Sequence, residues 1–223
     1  MARILGGTPV ITTATDVRGK FAVDVWARDN DLAIPSMALA KEISAAVLAG
    51  EPVAFRSDFP VEGAVPPELS GGPEARLAIE VGVYRKENPV FAPRCLTLGL
   101  GCRRGKAPEE IGALVNRVLA EQGILPEAVA EAATIDWKRD EEGLRAFCQN
   151  RGWPLRFFSA EELGAAPGDF SPSAFVSRTV GVDNVCERAA VLASGGGRLL
   201  VKKQAENGVT VAVAQKDRRI CFG

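Results

Sequence analysis

The chain has 223 residues, 47% of them hydrophobic, which is enough apolar material for one large or two small folded units and excludes a disordered chain. Lys and Arg number 27 against 28 Asp and Glu, a net charge of −1, so no global field favours nucleic acid or an anionic membrane surface. Histidine is absent, which excludes His-bearing zinc sites and Ser-His-Asp or Cys-His nucleophile systems and leaves acid–base work to carboxylates, lysine, cysteine or water.

Residues 9–13, Pro-Val-Ile-Thr-Thr, form a β-branched run between Gly6-Gly7 and Asp16, the pattern of a strand followed by a polar loop. Pro35-Ser36 followed by Ala40, Ile43, Ala46 and Val47 on one face and by Gly50 predicts a capped helix over Met37–Ala49. A strand is expected at 53–56. Residues 60–76 hold Pro60, Pro66-Pro67, Gly71-Gly72 and Pro73, which break every regular pattern and read as a long loop or interdomain linker. Alternation of Leu77, Ile79, Val81 and Val83 predicts a strand over 77–84 that closes a first unit, with a boundary near residue 90.

Beyond that point the pattern gives strand 95–100, helix 108–122, strand 132–136, helix 140–151, strand 155–158, a short helix at 161–165, helical turns over 172–194, and strands 198–203 and 209–214. The fold class is therefore α/β in two units, 1–90 and 91–223. The second is an α/β sheet domain with alternating strands and helices and a terminal hairpin about Asn207-Gly208. No fixed-period repeat or low-complexity tract is present.

The five cysteines, at 95, 102, 148, 186 and 221, form no CxxC, and their odd number argues against a full disulfide framework and for a reducing compartment. No apolar stretch reaches membrane-spanning length and the first residues lack a signal-peptide pattern, so the chain reads as soluble and cytoplasmic, with no bound metal expected.

The densest segment runs from Leu96 to Ile111: a buried strand, a glycine-rich loop (Gly99, Gly101, Cys102, Arg103, Arg104, Gly105, Lys106) and a helix opening at Pro108. Glycines that let amides turn toward a ligand, beside three cations and a helix start, suit phosphate or carboxylate. The spacing is GxGxxxG rather than the dinucleotide GxGxxG, and no GK[ST] follows, so a nucleotide site is weakly supported and a solvated loop tip is the plain alternative. In the segment 170–190, the hydroxyls with Arg178, Glu187 and Arg188 read either as a polar rim at helix ends or as caps and surface. Lys202-Lys203 is a solvated strand end unless it faces the 103–106 loop. Thr12, Thr13, Thr15 and Asp16 stand where open α/β sheets place ligand contacts, or form a turn with Asp16 as a helix cap. Asp140-Glu141-Glu142 reads as acids complementing a helix macrodipole, and Trp137, Trp153 and Phe157-Phe158 as core or packing aromatics rather than a stacking platform.

Taken together, Pro9-Val-Ile-Thr-Thr-Ala-Thr-Asp-Val, Gly99-Leu-Gly-Cys-Arg-Arg-Gly-Lys, Ser173-Ala-Phe-Val-Ser-Arg-Thr-Val-Gly-Val and Leu200-Val-Lys-Lys with Gly208-Val-Thr-Val-Ala-Val-Ala resemble the cobalamin-biosynthesis family CbiG, the cobalt-precorrin-5A hydrolases. From about residue 93 the chain is also similar to CobE, a stand-alone relative of the C-terminal domain. The resemblance implies a role in anaerobic corrin formation: opening of a δ-lactone on cobalt-precorrin-5A with release of acetaldehyde. It implies no cofactor, the cobalt being carried within the substrate. Its substrate is a polyanion with a broad apolar face, so the resemblance makes Gly101, Cys102, Arg103, Arg104, Gly105, Lys106, Ser177, Thr179, Lys202 and Lys203 candidate substrate contacts. With histidine absent, Asp16 and Glu187 are the candidate catalytic carboxylates for activating water.

Family members carry a further N-terminal domain ahead of the Pro-Val-Ile-Thr-Thr strand, and here Met1–Gly7 stands in its place, so the chain looks like a CbiG lacking most of that domain. Expected partners are the cobalt-precorrin itself, other enzymes of corrin formation and a second copy of the chain as a homodimer, with neither nucleic acid nor membrane. A non-catalytic module that holds a corrin intermediate, and a phosphate-ligand α/β enzyme using the 99–108 loop, are the alternatives.

Overall fold

The computed structural model describes residues 19–170 and 184–223. The expected strand at 9–13, Asp16, and the part of the expected helical turns at 171–183 lie outside the described residues. The chain groups into two units. One comprises residues up to Gly82 with Lys86–Phe91 and Arg219–Gly223, and the other comprises Val83–Arg85 and Ala92–Arg218.

In the first unit, helix α1 (Val23–Asp29) and strand β1 (Leu32–Ala33) precede helix α2 (Met37–Ala49). Helix α2 has the capping its sequence predicts: Ser36 Oγ accepts from Leu39 N, and Gly50 closes it in the left-handed conformation at φ 77°. Strands β2 (Ala54–Ser57), β4 (Ala78–Val81) and β5 (Val90–Pro93) run parallel in the sheet order β1-β5-β4-β2. Strand β3 (Val61–Glu62) pairs in parallel with the C-terminal β11 (Ile220–Cys221).

That last pairing is held by α1. Asn30 acts as a piece of strand, its Nδ2 donating to Cys221 O at 2.9 Å and its Oδ1 accepting from Cys221 N at 2.7 Å, while Trp26 stacks on Phe222 at 5.2 Å. The proline-rich segment 60–76 is not an interdomain linker but part of this unit. Val53 N donates to Glu68 O, Gly71 N donates to Val53 O, and Leu69 is buried, so backbone bonding to β2 replaces the regular pattern the prolines forbid. The strand expected over 77–84 stops at Val81, and Leu125 N donates to Val83 O within the second unit.

The second unit is built on a five-stranded sheet of order β8-β7-β6-β10-β9. Strands β6 (Leu96–Cys102), β7 (Val129–Ile135) and β8 (Leu155–Phe158) are parallel, and the hairpin β9 (Arg198–Glu206) and β10 (Val209–Gln215) adds antiparallel to β6. Asn207 and Gly208, at φ 48° and 78°, supply the two positive-φ residues a tight two-residue hairpin requires. Helices α3 (Pro108–Glu121) and α4 (Glu142–Arg151) pack on each other, and α3 lies along β10 and β9. Helix α5 (Ala160–Gly164) and helix α6 (Val185–Ala193) pack together, and α6 lies on β6, β7 and β10.

Strand alternation divides the two faces of this sheet. Ala133 and Ile135 of β7 and Ala212 and Ala214 of β10 meet Ala189, Ala190 and Ala193 of α6. Leu98, Leu100, Val211 and Val213 point to the opposite face and are fully buried. On the α6 side the contact at β6 is between backbones: a Cβ on Gly99 would stand 1.7 Å from Cys186 O and 2.9 Å from Ala190 N. Gly99→Ala therefore cannot be accommodated without lifting α6 off the sheet. It is expected to cost about 3 kcal/mol, read as a lower urea midpoint at unchanged m-value.

Candidate functional site

The glycine pattern 99–105 does not form a loop. Gly99 and Gly101 lie within β6, paired with Ala212 and Thr210, and serve packing: Gly99 admits α6, and a Cβ on Gly101 would stand 2.6 Å from Thr210 Oγ1. The loop begins at Arg103, and only Gly105 within it takes positive φ, at 74°. The Gly105 amide, which a phosphate would need, is already given to Glu141 Oε2 at 3.1 Å. Buried packing on both sides imposes a glycine spacing that resembles a ligand-cradling one.

Where β6 and β7 end, a cavity of about 660 Å³ opens beside the first turn of α6 and the β9–β10 hairpin. Of the candidate contacts, Gly101, Cys102, Arg103, Arg104 and Lys203 line it together. Gly105 and Lys106 line an adjoining cavity of about 650 Å³, which shares Arg104, Trp137 and Glu141 with the first. Lys106 Nζ is held by Glu110 Oε1 at 2.6 Å, while Glu110 Oε2 accepts from Ala107 N, so this cation also fixes the start of α3. Lys202 is exposed and does not line the first cavity. Ser177 and Thr179, like Asp16, lie outside the described residues.

The separation of the two neighbouring lysines has a backbone cause. Between Val201, which faces Val213, and Gln204, which faces Val211, Lys202 and Lys203 stand opposite Ala212 alone, a β-bulge. The bulge frees the Lys203 N–H from the ladder, and Glu187 Oε1 accepts it at 2.7 Å. Glu187 is wholly buried in α6, whose N-cap Asn184 accepts from Glu187 N at 3.3 Å, so its described contact is an anchor for the bulge that sends Lys203 to the cavity. Arg188 donates to Leu163 O and lies 4.6 Å over the Phe170 ring.

Sequence reasoning missed four residues on which this cavity depends, Lys138, Glu141, Trp137 and Thr134. Glu141 is not a solvated helix-dipole acid: it is buried, and it binds Gly105 N, Lys138 Nζ at 3.1 Å and Arg104 Nε at 3.9 Å. Burial alone would raise its carboxyl, but the Gly105 amide, Lys138 and Arg104 together hold it below the ordinary value of 4.5. Trp137 is not a core aromatic. It sits in a single 3-10 turn (Asp136–Lys138) past the end of β7, where no layer covers it, and is 60% exposed, whereas Trp153 and Phe158 are buried. Thr134 is a further one, a hydroxyl in the buried end of β7; the residue lines the cavity, and its Oγ1 is fully buried with no hydrogen-bond partner. A polar residue amid Ala132, Ala133 and Ile135 was the signal available for it.

Both cysteines of the cavity hold protonated thiols at neutral pH: burial pushes Cys186 up to about 11, and burial likewise raises Cys102. Four cations line the cavity, Arg103, Arg104, Lys138 and Lys203, against the two carboxylates Glu141 and Glu206. Glu206 is paired with Arg117. What remains is a positive, partly apolar cleft, suited to a ligand with several carboxylates.

Comparison with known proteins identifies the family. Residues 96–214 match the family model described as Cobalamin synthesis G C-terminus, and residues 21–80 that described as Cobalamin biosynthesis central region. The chain belongs to the CbiG family. It is 32% identical to the cobalt-precorrin-5A hydrolase of Priestia megaterium over 96% of this chain and 63% of that protein. It is 30% identical to the cobalt-precorrin-5A hydrolase of Salmonella typhimurium over 96% of this chain and 65% of that protein. The chain thus spans less than two thirds of the length of these two relatives. The crystal structure of CobE, a protein from the cobalamin (vitamin B12) biosynthetic pathway, is similar over 54% of this chain and 93% of that one, at 36% identity and a TM-score of 0.51. Among the described residues, no helix is long and apolar enough to cross a membrane.

In this CbiG-family chain Glu141 ties the 103–106 loop to the start of α4, which approaches so closely that a Cβ on Gly143 would stand 1.8 Å from Lys106 O. Glu141→Ala is expected to cost about 2 kcal/mol and to raise hydrogen exchange at the Gly105 amide. Because the carboxyl is held below 4.5, the latch stays closed above that pH and is released as pH falls through the lower folded-state value. Gly105 protection, corrected for intrinsic exchange, should follow that sign.

Proposed function

We propose that this chain acts in cobalamin biosynthesis as a cobalt-precorrin-5A hydrolase and that the cavity of its second unit binds the substrate. The observation that carries the reading is the convergence of Arg103, Arg104, Lys138 and Lys203 beside the exposed Trp137 on one cavity of about 660 Å³. A cobalt-precorrin carries acetate and propionate arms around an apolar ring. Guanidinium and ammonium groups at the rim pair with the arms, and the apolar part of the lining receives the ring. The cobalt belongs to the substrate and needs no protein ligand set.

The proposed reaction adds water to the acyl carbon of the δ-lactone and breaks the acyl–oxygen bond to leave a carboxylate and a hydroxyl on the two-carbon fragment; loss of that hydroxyl's proton as the carbonyl forms breaks the carbon–carbon bond to the ring, which takes the electron pair and a proton, and acetaldehyde leaves. In this reading the cations hold the arms and stabilise the carboxylate as it forms. Asp16 is kept as the candidate carboxylate for activating water. Glu187, buried and bonded to the Lys203 amide, contributes by placing Lys203.

A second reading, binding of a corrin intermediate without turnover, is favoured by a specific observation. Among the described residues, both carboxylates lining the cavity are ion-paired and both thiols are protonated at neutral pH. Anaerobic incubation of the purified chain with cobalt-precorrin-5A separates the two. The hydrolase reading expects a change in the corrinoid absorbance with trapped acetaldehyde, and the binding reading expects the absorbance change of a complex with no aldehyde. Arg103→Ala combined with Arg104→Ala is expected to weaken binding about ten-fold or more at unchanged melting temperature. Unaltered affinity in that variant would remove the cavity from the account.

A further inference from the structure

The turn at the end of β7 is unlike the rest of the cavity. Lys138 of this turn belongs to the latch through Glu141, but Thr134 and Trp137 do not, and they combine two features that folding alone does not explain. Thr134 is a residue of the cavity lining, and its Oγ1 is fully buried with no hydrogen-bond partner, an arrangement that is unfavourable unless something else fills it. Three residues on, the Trp137 indole is 60% exposed and lies on the ridge between the two adjoining cavities, each of about 650 to 660 Å³, lining both. A large apolar ring left in water at a rim between two clefts is a contact surface for a ligand broader than either cleft.

We infer that the β7 turn is a reading subsite of the cleft, in which Trp137 packs against the face of a flat tetrapyrrole ring and Thr134 Oγ1 donates a hydrogen bond to a carboxylate or acyl oxygen that descends beside it. The inference rests on the proposal that the cleft takes a cobalt-precorrin, and it deepens that proposal by separating two tasks. The cations at 103, 104 and 203 hold charge and tolerate any polycarboxylate of similar size. The β7 turn recognises a ring with a π-face and places one arm at a fixed depth. A hydroxyl on the penultimate residue of a buried strand is more rigid than the loop cations, because both neighbours, Ala133 and Ile135, are locked in the α6 contact.

The stability consequence is opposite in sign to that of an ordinary buried polar group. A Thr hydroxyl that supports the fold loses a partner when it is replaced by Val, whereas this one has none to lose. Thr134→Val is therefore expected to leave the melting temperature unchanged or higher while weakening binding of a corrin polycarboxylate, with cobyrinic acid as the probe, about five-fold. Thr134→Ser, which keeps the hydroxyl, is expected to bind as the parent does. Trp137→Ala is expected to lose about ten-fold and Trp137→Phe to retain most of the affinity.

Titrations are run on the full chain in parallel with the Arg103→Ala, Arg104→Ala variant. A lower melting temperature for Thr134→Val, or full binding by both Thr134→Val and Trp137→Ala while the arginine variant is weakened, would overturn the subsite and leave the cleft reading standing. If the parent chain fails to bind cobyrinic acid, or the arginine variant binds it as tightly as the parent, the cleft reading itself fails.

Discussion

Helix α6 rests on strand β6 backbone to backbone, and the geometry of the cleft follows from that contact. Gly99 has no side chain to separate them, and alanines on β7, β10 and α6 extend the close approach to either side. Such a contact forgoes the area that larger side chains would bury, but it fixes the height and direction of α6 closely, because small residues leave few alternative packings. With α6 so placed, its first turn meets the carboxyl end of β6. Glu187 then stands where it can take the Lys203 amide from the bulge in β9. A cation in the cleft is thus positioned by a glycine buried in the neighbouring strand.

The other wall is set electrostatically. Glu141 collects the Gly105 amide, Lys138 and Arg104, and so joins the loop after β6 to the turn after β7. A buried carboxylate with a cation on one oxygen and an amide on the other is well satisfied, and satisfaction is what makes its burial tolerable. It also leaves the neighbouring guanidinium heads outward: the Arg104 side chain is 96% exposed, touching Glu141 only at long range. The site thus combines a neutralised interior with charge at the mouth, an arrangement that draws in a polyanion and selects by shape further down.

Much of this was legible in the sequence where local signals and tertiary demands coincide. Helix α2 declares both caps, Asn207-Gly208 declares the hairpin, and alternating strand and helix patterns declare the α/β class. The readings that changed are those in which one residue type answers to two causes. Glycines 99 and 101 serve close packing, not a phosphate loop, and spacing alone does not separate the two. Glu141 looks like its neighbours Asp140 and Glu142 in one dimension, and only folding shows that it turns inward. Trp137 has the composition of a core residue and the position of a rim residue, because the strand beneath it ends two residues earlier. The return of residues 219–223 to the first unit depends on the side chain of Asn30 acting as backbone, which no periodicity reports.

Hydrogen exchange by mass spectrometry on the full chain, with and without a saturating corrin polycarboxylate, locates the bound ligand directly. A ligand held in the cleft of the second unit should slow exchange in the segments 101–104, 134–141 and 203–210, which contribute its lining. Protection confined to other parts of the chain, or uniform protection without a focus on those three segments, would contradict the placement of the binding site.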